Sequence, residues 1–194
     1  MNSIKLNNVL PHVFEQVSDL QSDVWKKDIC FEKGHLYLVE AASGVVFDQK
    51  DVRTFNVNNW VNIRQKHISH LFQELRLFPE LTAMENVKIK NDLTGFKTDK
   101  QIVQWFDMLG IGDKLDAKIG RMSFGQQQRV AMIRALVQPF DFILVDEPIS
   151  HLDDHNSQIM GDIMMAEAKA QGAGVIVTSI GKHMKLDYEK TLML

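Results

Sequence analysis

Residues 122–154 read MSFGQQQRVAMIRALVQPFDFILVDEPISHLDD, and three pieces with separate physical jobs follow one another there without a gap. Ser123 stands where a helix N-cap belongs. Val130, Ile133, Ala135, Leu136 and Val137 carry that helix to about residue 137, and Pro139 stops it. Residues 140–145 read as an apolar stretch, hence a strand buried on both faces, and it ends on Asp146-Glu147. A short polar loop, Ser150-His151-Leu152-Asp153, closes the segment, and residues 156–170 read as the next helix.

Two adjacent carboxylates at the end of a buried strand are costly to leave unsolvated, so a polar cleft or a cation belongs there. Open α/β sheets bind ligands at the carboxyl ends of their strands. Asp146 is suited to a divalent cation such as Mg²⁺, and Glu147 to orienting and deprotonating a water. The competing reading, an acidic surface turn, is weak after an apolar stretch and before Pro148. Ser123-Phe124-Gly125-Gln126 offers a helix N-terminus, whose N–H groups and positive dipole end suit phosphate. Gly125 permits close backbone approach and the Ser123 hydroxyl can donate. Plain capping by Ser123 is the alternative.

Outward from this stretch, residues 4–9, 28–31 and 35–39 read as short strands. Phe14, between the first two, is a candidate ligand contact, with packing in the local core an equal alternative. Residues 45–47 are apolar again only five positions after Glu40. A connection that short permits an antiparallel hairpin with 36–39, because a parallel crossover needs a dozen or more residues. Residues 56–64 are ambiguous and 67–72 read as a strand with Gln73 directly after it. Thr82 with Glu85 forms a capping box, and residues 98–109 an amphipathic helix that Gly110 ends. Residues 111–119 suggest a further short helix closed by Gly120. Residues 175–177 and 190–194 read as strands. Strands alternating with helices in the second half predict a parallel α/β sheet.

At 194 residues the chain is long enough for one domain with a real core. Hydrophobic residues make up 45% and charged residues 24%, and no stretch of about 18 apolar residues is present to span a membrane. A single cysteine, Cys30, excludes an intrachain disulfide and fits a reducing compartment. The first residues contain no apolar signal core, which predicts a cytoplasmic chain. With net charge −3 and no dense Lys/Arg cluster, nucleic-acid binding is not expected.

The run Met122-Ser123-Phe124-Gly125-Gln126-Gln127-Gln128-Arg129-Val130, then Phe142 through Pro148, then Ser150-His151-Leu152-Asp153 resembles the signature, Walker B and D-loop motifs of ABC-family ATPases in order and spacing. Phe124 replaces the family's usual first glycine. Upstream, His70-Leu71-Phe72-Gln73 with Leu77-Phe78-Pro79-Glu80-Leu81-Thr82 and Glu85-Asn86-Val87 resembles the family's Q-loop region. The resemblance runs from Ile4 to the end. It implies a P-loop NTPase-like ABC nucleotide-binding domain with a mainly parallel core sheet, a small antiparallel β part and a helical signature lobe. Residues 1–194 would form one domain, with the core at about 1–72 and 125–194 and the lobe at about 73–124.

The resemblance further implies ATP and Mg²⁺ as cofactors. Asp146 and Gln73 would face the metal, with Glu147, Gln73 and Ser179 catalytic. Ser123, Phe124, Gly125, Gln126 and Asp153 would contact nucleotide, joined by Ser43, Gly44 and Phe14. The implied partners are a membrane permease and a second ABC ATPase subunit in a homo- or heterodimer, at the inner face of the membrane. An ABC-type DNA-repair ATPase would need a coiled-coil insertion or a basic face, and neither is present.

Two family parts are missing. Glu40-Ala41-Ala42-Ser43-Gly44 looks like the first half of a P-loop, yet no Gly-Lys-Ser/Thr follows there or anywhere in the chain. Val45-Val46-Phe47-Asp48 resembles the strand that follows the P-loop helix, so by this comparison a block has been lost between Gly44 and Val45. Lys50 has no glycine context to substitute. The family's histidine after strand 175–177 is replaced by Ser179, whose hydroxyl can still bond phosphate. His183 reads as a surface residue and His151 as a structural or interface residue. Loss of the P-loop helix predicts bare apolar surface on one face of the sheet. Because each ABC site joins one subunit's P-loop to the other's signature, the chain is expected to retain only the signature half in working form.

Overall fold

The computed structural model describes residues 2–7, 22, 27–40, 55–149, 152–179 and 183–193. Phe14, Ser43, Gly44, Val45, Lys50, Ser150 and His151, each singled out above, lie outside them.

Five strands form one parallel sheet in the order β4-β5-β6-β3-β7, with β3 at Leu36–Glu40, β4 at Ile68–Leu71, β5 at Phe142–Asp146, β6 at Gly174–Thr178 and β7 at Lys190–Met193. Every neighbouring pair in it is parallel. β1 (Ser3–Asn7) and β2 (Asp28–Glu32) pair antiparallel as a separate ribbon. Both edges of β3 are therefore occupied, by β6 and β7. This corrects the hairpin expected from the short connection after Glu40: β3 has no free edge on which to pair with residues 45–47. β5 also begins later than expected. Asp141, a charged residue in the apolar stretch, stays outside the strand and takes ion pairs with Lys33 at 2.5 Å and His67 at 2.6 Å.

β5 and β6 are buried on both faces, as their continuous apolar runs require. On one face Leu36, Ile143, Val145, Val175 and Val177 join a core with α4 (Phe124–Leu136) and α5 (Asp154–Gln171), through Val130, Ile133, Leu136, Met160 and Met164. On the other face Tyr37 meets Phe31 edge-on at 5.0 Å, and its hydroxyl accepts a 2.8 Å hydrogen bond from the Glu32 N–H. That contact fixes the ribbon to the sheet. Gly174 makes the approach possible: a Cβ there would lie 2.7 Å from the Phe142 ring and 3.0 Å from the Glu32 carbonyl oxygen.

The bare apolar sheet surface expected above is not found among the described residues. Leu36, Tyr37, Phe142 and Ile176 are all buried, and Leu144 is half-buried. The large exposed apolar side chains sit on other elements, among them Val57 and Val61 on α1 (Val57–Lys66) and Ile89 on α2 (Ala83–Asn91).

Between β4 and α4 the chain is helical. Thr82 caps α2 through a capping box with Glu85, at 3.1 Å and 2.7 Å in the two directions. Thr98 and Gln101 repeat the device at α3 (Asp99–Met108). The predicted apolar face of α3 is buried at Ile102, Phe106 and Leu109, and Gly110 ends it with φ +64°. Residues 111–119 hold no α-helix. Short 3-10 turns occur at Gly112–Lys114 and Ile119–Arg121, so Gly120 lies inside the second turn and does not close a helix. A buried ion pair, Lys97 Nζ to a Glu167 carboxylate oxygen at 2.8 Å, ties the segment before α3 to α5.

Candidate functional site

Parallel pairing places the carboxyl ends of β3, β4, β5 and β6 along one edge, and four of the predicted site residues, Gln73, Asp146, Glu147 and Ser179, lie there. Asp146 is the last residue of β5 and pairs in register with Thr178, the last of β6. The Thr178 hydroxyl donates to Asp146 Oδ1 at 2.6 Å, which fixes the carboxylate's orientation. Glu147 then turns the chain out of the sheet with φ +46°, a left-handed conformation that costs a non-glycine residue about 1–3 kcal/mol. Its N–H donates to the Thr178 carbonyl at 3.1 Å, so the strained residue is held at the strand end. Asp146 and Glu147 are both half-buried, and Ser179 is buried.

Gln73 lies two residues past the end of β4 and is exposed. Because Leu71 pairs with Val145, Gln73 emerges beside the Asp146-Glu147 end of β5. On the same strand His70 stacks on Phe72, the first residue past the strand end, with ring centroids 3.8 Å apart. Burial holds the His70 pKa below its ordinary value, and the nearby Asp146 charge opposes that only in part, so the imidazole is neutral at pH 7.

Ser123 is the N-cap of α4, as its sequence position predicts. Its Oγ accepts from the Gln126 N–H at 3.3 Å, and Gln126 Oε1 accepts from the Ser123 N–H at 2.9 Å. Gln126 is thus committed to the cap. Ser123 and Phe124 are exposed, and Gly125 is half-buried. With its oxygen accepting from the helix, the Ser123 hydroxyl has its proton to offer outward. A phosphate oxygen suits that donor and the positive end of a 13-residue helix.

Asp153 is the N-cap of α5, accepting from the Asn156 N–H at 2.8 Å and from Asn156 Nδ2 at 2.7 Å. These bonds hold its carboxyl pKa below the usual range. Arg129 connects this cap to α4. It donates to Asn156 Oδ1 at 3.1 Å, to the Leu109 carbonyl at 2.8 Å and to the Gly125 carbonyl at 3.1 Å. The structure therefore gathers Asp146, Glu147, Gln73 and Ser179 at one sheet edge, with Ser123 and Asp153 at two helix N-termini that Arg129 bridges. Sequence reading missed Thr178, Arg129 and Asn156. Thr178 had a signal, a polar residue ending an apolar strand. Arg129 and Asn156 had none, since each acts across elements.

Among the described residues no group of three or more His, Cys, Asp or Glu side chains is placed to hold a metal. The carboxylate at Asp146 is already engaged by Thr178, and the sequence offers no P-loop lysine.

The fold is that of an ABC cassette: the dimeric structure of MJ0796, a bacterial ABC transporter cassette, superposes with a TM-score of 0.72 at 22% identity, over 91% of this chain and 87% of that one. The ABC transporter family model matches residues 36–150, and the chain belongs to that family. It is 32% identical over 133 residues to the macrolide export ATP-binding/permease protein MacB of a Shewanella strain, covering 67% of this chain and 20% of that protein. It is 28% identical over 151 residues to the lipoprotein-releasing system ATP-binding protein LolD 2 of Rhodopseudomonas palustris, covering 76% and 61%. The chain thus spans about a fifth of the MacB proteins it matches. Among the described residues, no helix is long and apolar enough to cross a membrane.

Proposed function

We propose that this chain is the ATP-binding part of an ABC transporter, driving a membrane permease from the inner face of the membrane, and that it supplies the signature half of a composite ATP site. The supporting observation is Ser123, exposed at the N-terminus of α4 with its hydroxyl proton available and its backbone locked by the capping box. In this reading Ser123 and the Gly125 amide bind a phosphate of nucleotide held by a second ABC ATPase subunit, and Asp153 lies at the same dimer face. Residues 1–72 and 125–194 form the core and 73–124 the signature lobe.

The chain's own nucleotide half we read as incomplete, for want of Gly-Lys-Ser/Thr. Bound Mg-ATP supplies a phosphoryl group and a metal to receive its charge. Asp146 and Gln73 are the residues that would hold the metal, Glu147 the one that would orient water, and Ser179 a hydroxyl donor beside them. Without the cradle no hydrolytic step is assigned to them. Calorimetry with Mg-ATP on the isolated chain tests this half of the reading, and micromolar binding would overturn it.

A second reading, a non-enzymatic dimerisation or regulatory subunit, is favoured by the same missing lysine. Phosphate release separates the two. The first reading expects release by a complete ABC ATPase subunit to rise when this chain is added and to be lost with Ser123→Arg. The second expects no change.

A further inference from the structure

The turn after Gln73 is strained, and one residue of α4 holds it. Leu75 and Arg76 are consecutive non-glycine residues in the left-handed region, at φ +58° and +50°. Only glycine adopts that conformation without a steric cost, and two in succession persist only where surrounding structure over-determines them. The Leu75 side chain is buried, which anchors one residue. The backbone is anchored by Arg134, whose guanidinium donates to the Leu75 carbonyl at 2.5 Å and to the Arg76 carbonyl at 2.7 Å. These two carbonyls are the hydrogen-bond acceptors of that half-buried guanidinium, so the charge and the turn satisfy each other. Arg76 points the other way, its guanidinium 4.1 Å from the centre of the Phe72 ring.

We propose that Arg134 is the positioning residue for Gln73: it holds the 75–76 turn in its left-handed form and so sets where Gln73 leaves β4 beside Asp146. A planar fork is what the geometry needs, because two carbonyls on successive residues must be reached at once. Lysine, with one ammonium group on a flexible stem, cannot reproduce it. Arg134 also lies on the helix that Ser123 caps, eleven positions on, so the turn and the phosphate-binding end share one rigid element. The functional weight of the proposal rests on reading Gln73 as one of the residues that would hold the metal.

The test is amide exchange on the isotopically labelled full chain, followed by NMR without nucleotide or partner. Arg134→Lys is expected to speed exchange at Leu75 and Arg76 at least tenfold, while Val130 to Ile133 in α4 change less than twofold. Arg76→Gly removes the steric cost at one residue. It is expected to slow exchange of the turn when introduced alone, and to restore Arg134→Lys to within threefold of the unsubstituted chain. Unchanged turn amides in Arg134→Lys, a uniform rise across α4, or no rescue by Arg76→Gly would each overturn the proposal. A separate outcome bears on Gln73. If the turn loosens as expected but the Gln73 amide keeps the chemical shift and exchange rate of the unsubstituted chain, the clamp stands and the positioning of Gln73 falls.

Discussion

The guanidinium of Arg129 lies 3.1 Å from the side-chain oxygen of Asn156, and through that contact α4 is fastened to the cap of α5. Asn156 spends its other polar atoms on Asp153, so one asparagine serves two loops. Asn156→Ala is expected to cost about 1–3 kcal/mol, since it breaks a charge-assisted bond and weakens a cap. Urea unfolding measures the loss. A double-mutant cycle with Arg129→Met should return a coupling of about 1 kcal/mol, and additivity would show that the contact carries nothing.

Ser123→Ala should lower stability by about 1 kcal/mol, and Ser123→Gly by a few tenths. The two substitutions separate capping from ligand binding. If the hydroxyl also binds a partner's phosphate, both should abolish stimulation of phosphate release equally despite their different stabilities.

Lys90 predicts a pH dependence. Burial, with the neighbouring Arg134 charge, pushes its pKa from 10.5 down to about 8. Between pH 8 and 10.5 the unfolded chain binds more protons at this group than the folded one, so stability from this group rises with pH across that window and is flat below it. Lys90→Met should stabilise the chain at pH 7 by about 2 kcal/mol and remove the rise. Denaturation midpoints at about pH 7 and pH 9.5 provide the check.

Asp141 acts at the opposite end of the scale. Burial alone would raise its pKa, but hydrogen bonds from Lys33 and His67 outweigh that and bring it to about 2. Its contribution is present above pH 3.8 and is lost as pH falls from there through 2. Asp141→Asn should cost about 2 kcal/mol at pH 7 and flatten the acid limb of an unfolding titration.

Tyr188 offers a gain. Its buried hydroxyl has no hydrogen-bond partner among the described residues, and burial pushes its pKa up to about 12. Tyr188→Phe should therefore raise stability by about 1 kcal/mol, visible as a higher thermal midpoint.

What the sequence made legible was local. The caps at Thr82 and Ser123, the apolar face of α3 and the carboxylates ending β5 each depend on neighbours close by in the chain. The sheet order was not legible, because β3 takes both of its neighbours from the far end of the chain. A spacing rule for hairpins could not see that both edges were already filled. The grip of Arg134 on Leu75 and Arg76 was hidden for the same reason, and so was the bridge from Arg129 to Asn156. At the candidate site the carboxyl-edge residues were readable as chemistry, but Thr178 became visible only through its register with Asp146.

The placement of β3 between β6 and β7 has a consequence for synthesis. Leu36 leaves the ribosome about 140 positions ahead of Val175, so at roughly 5–20 residues per second β3 waits about 7–28 s for its first sheet partner. During that interval a short apolar strand presents two unpaired edges to whatever is nearby. Folding efficiency in a cell should therefore be governed less by the finished domain's stability than by what shelters residues 36–40 until β6 and β7 have been made.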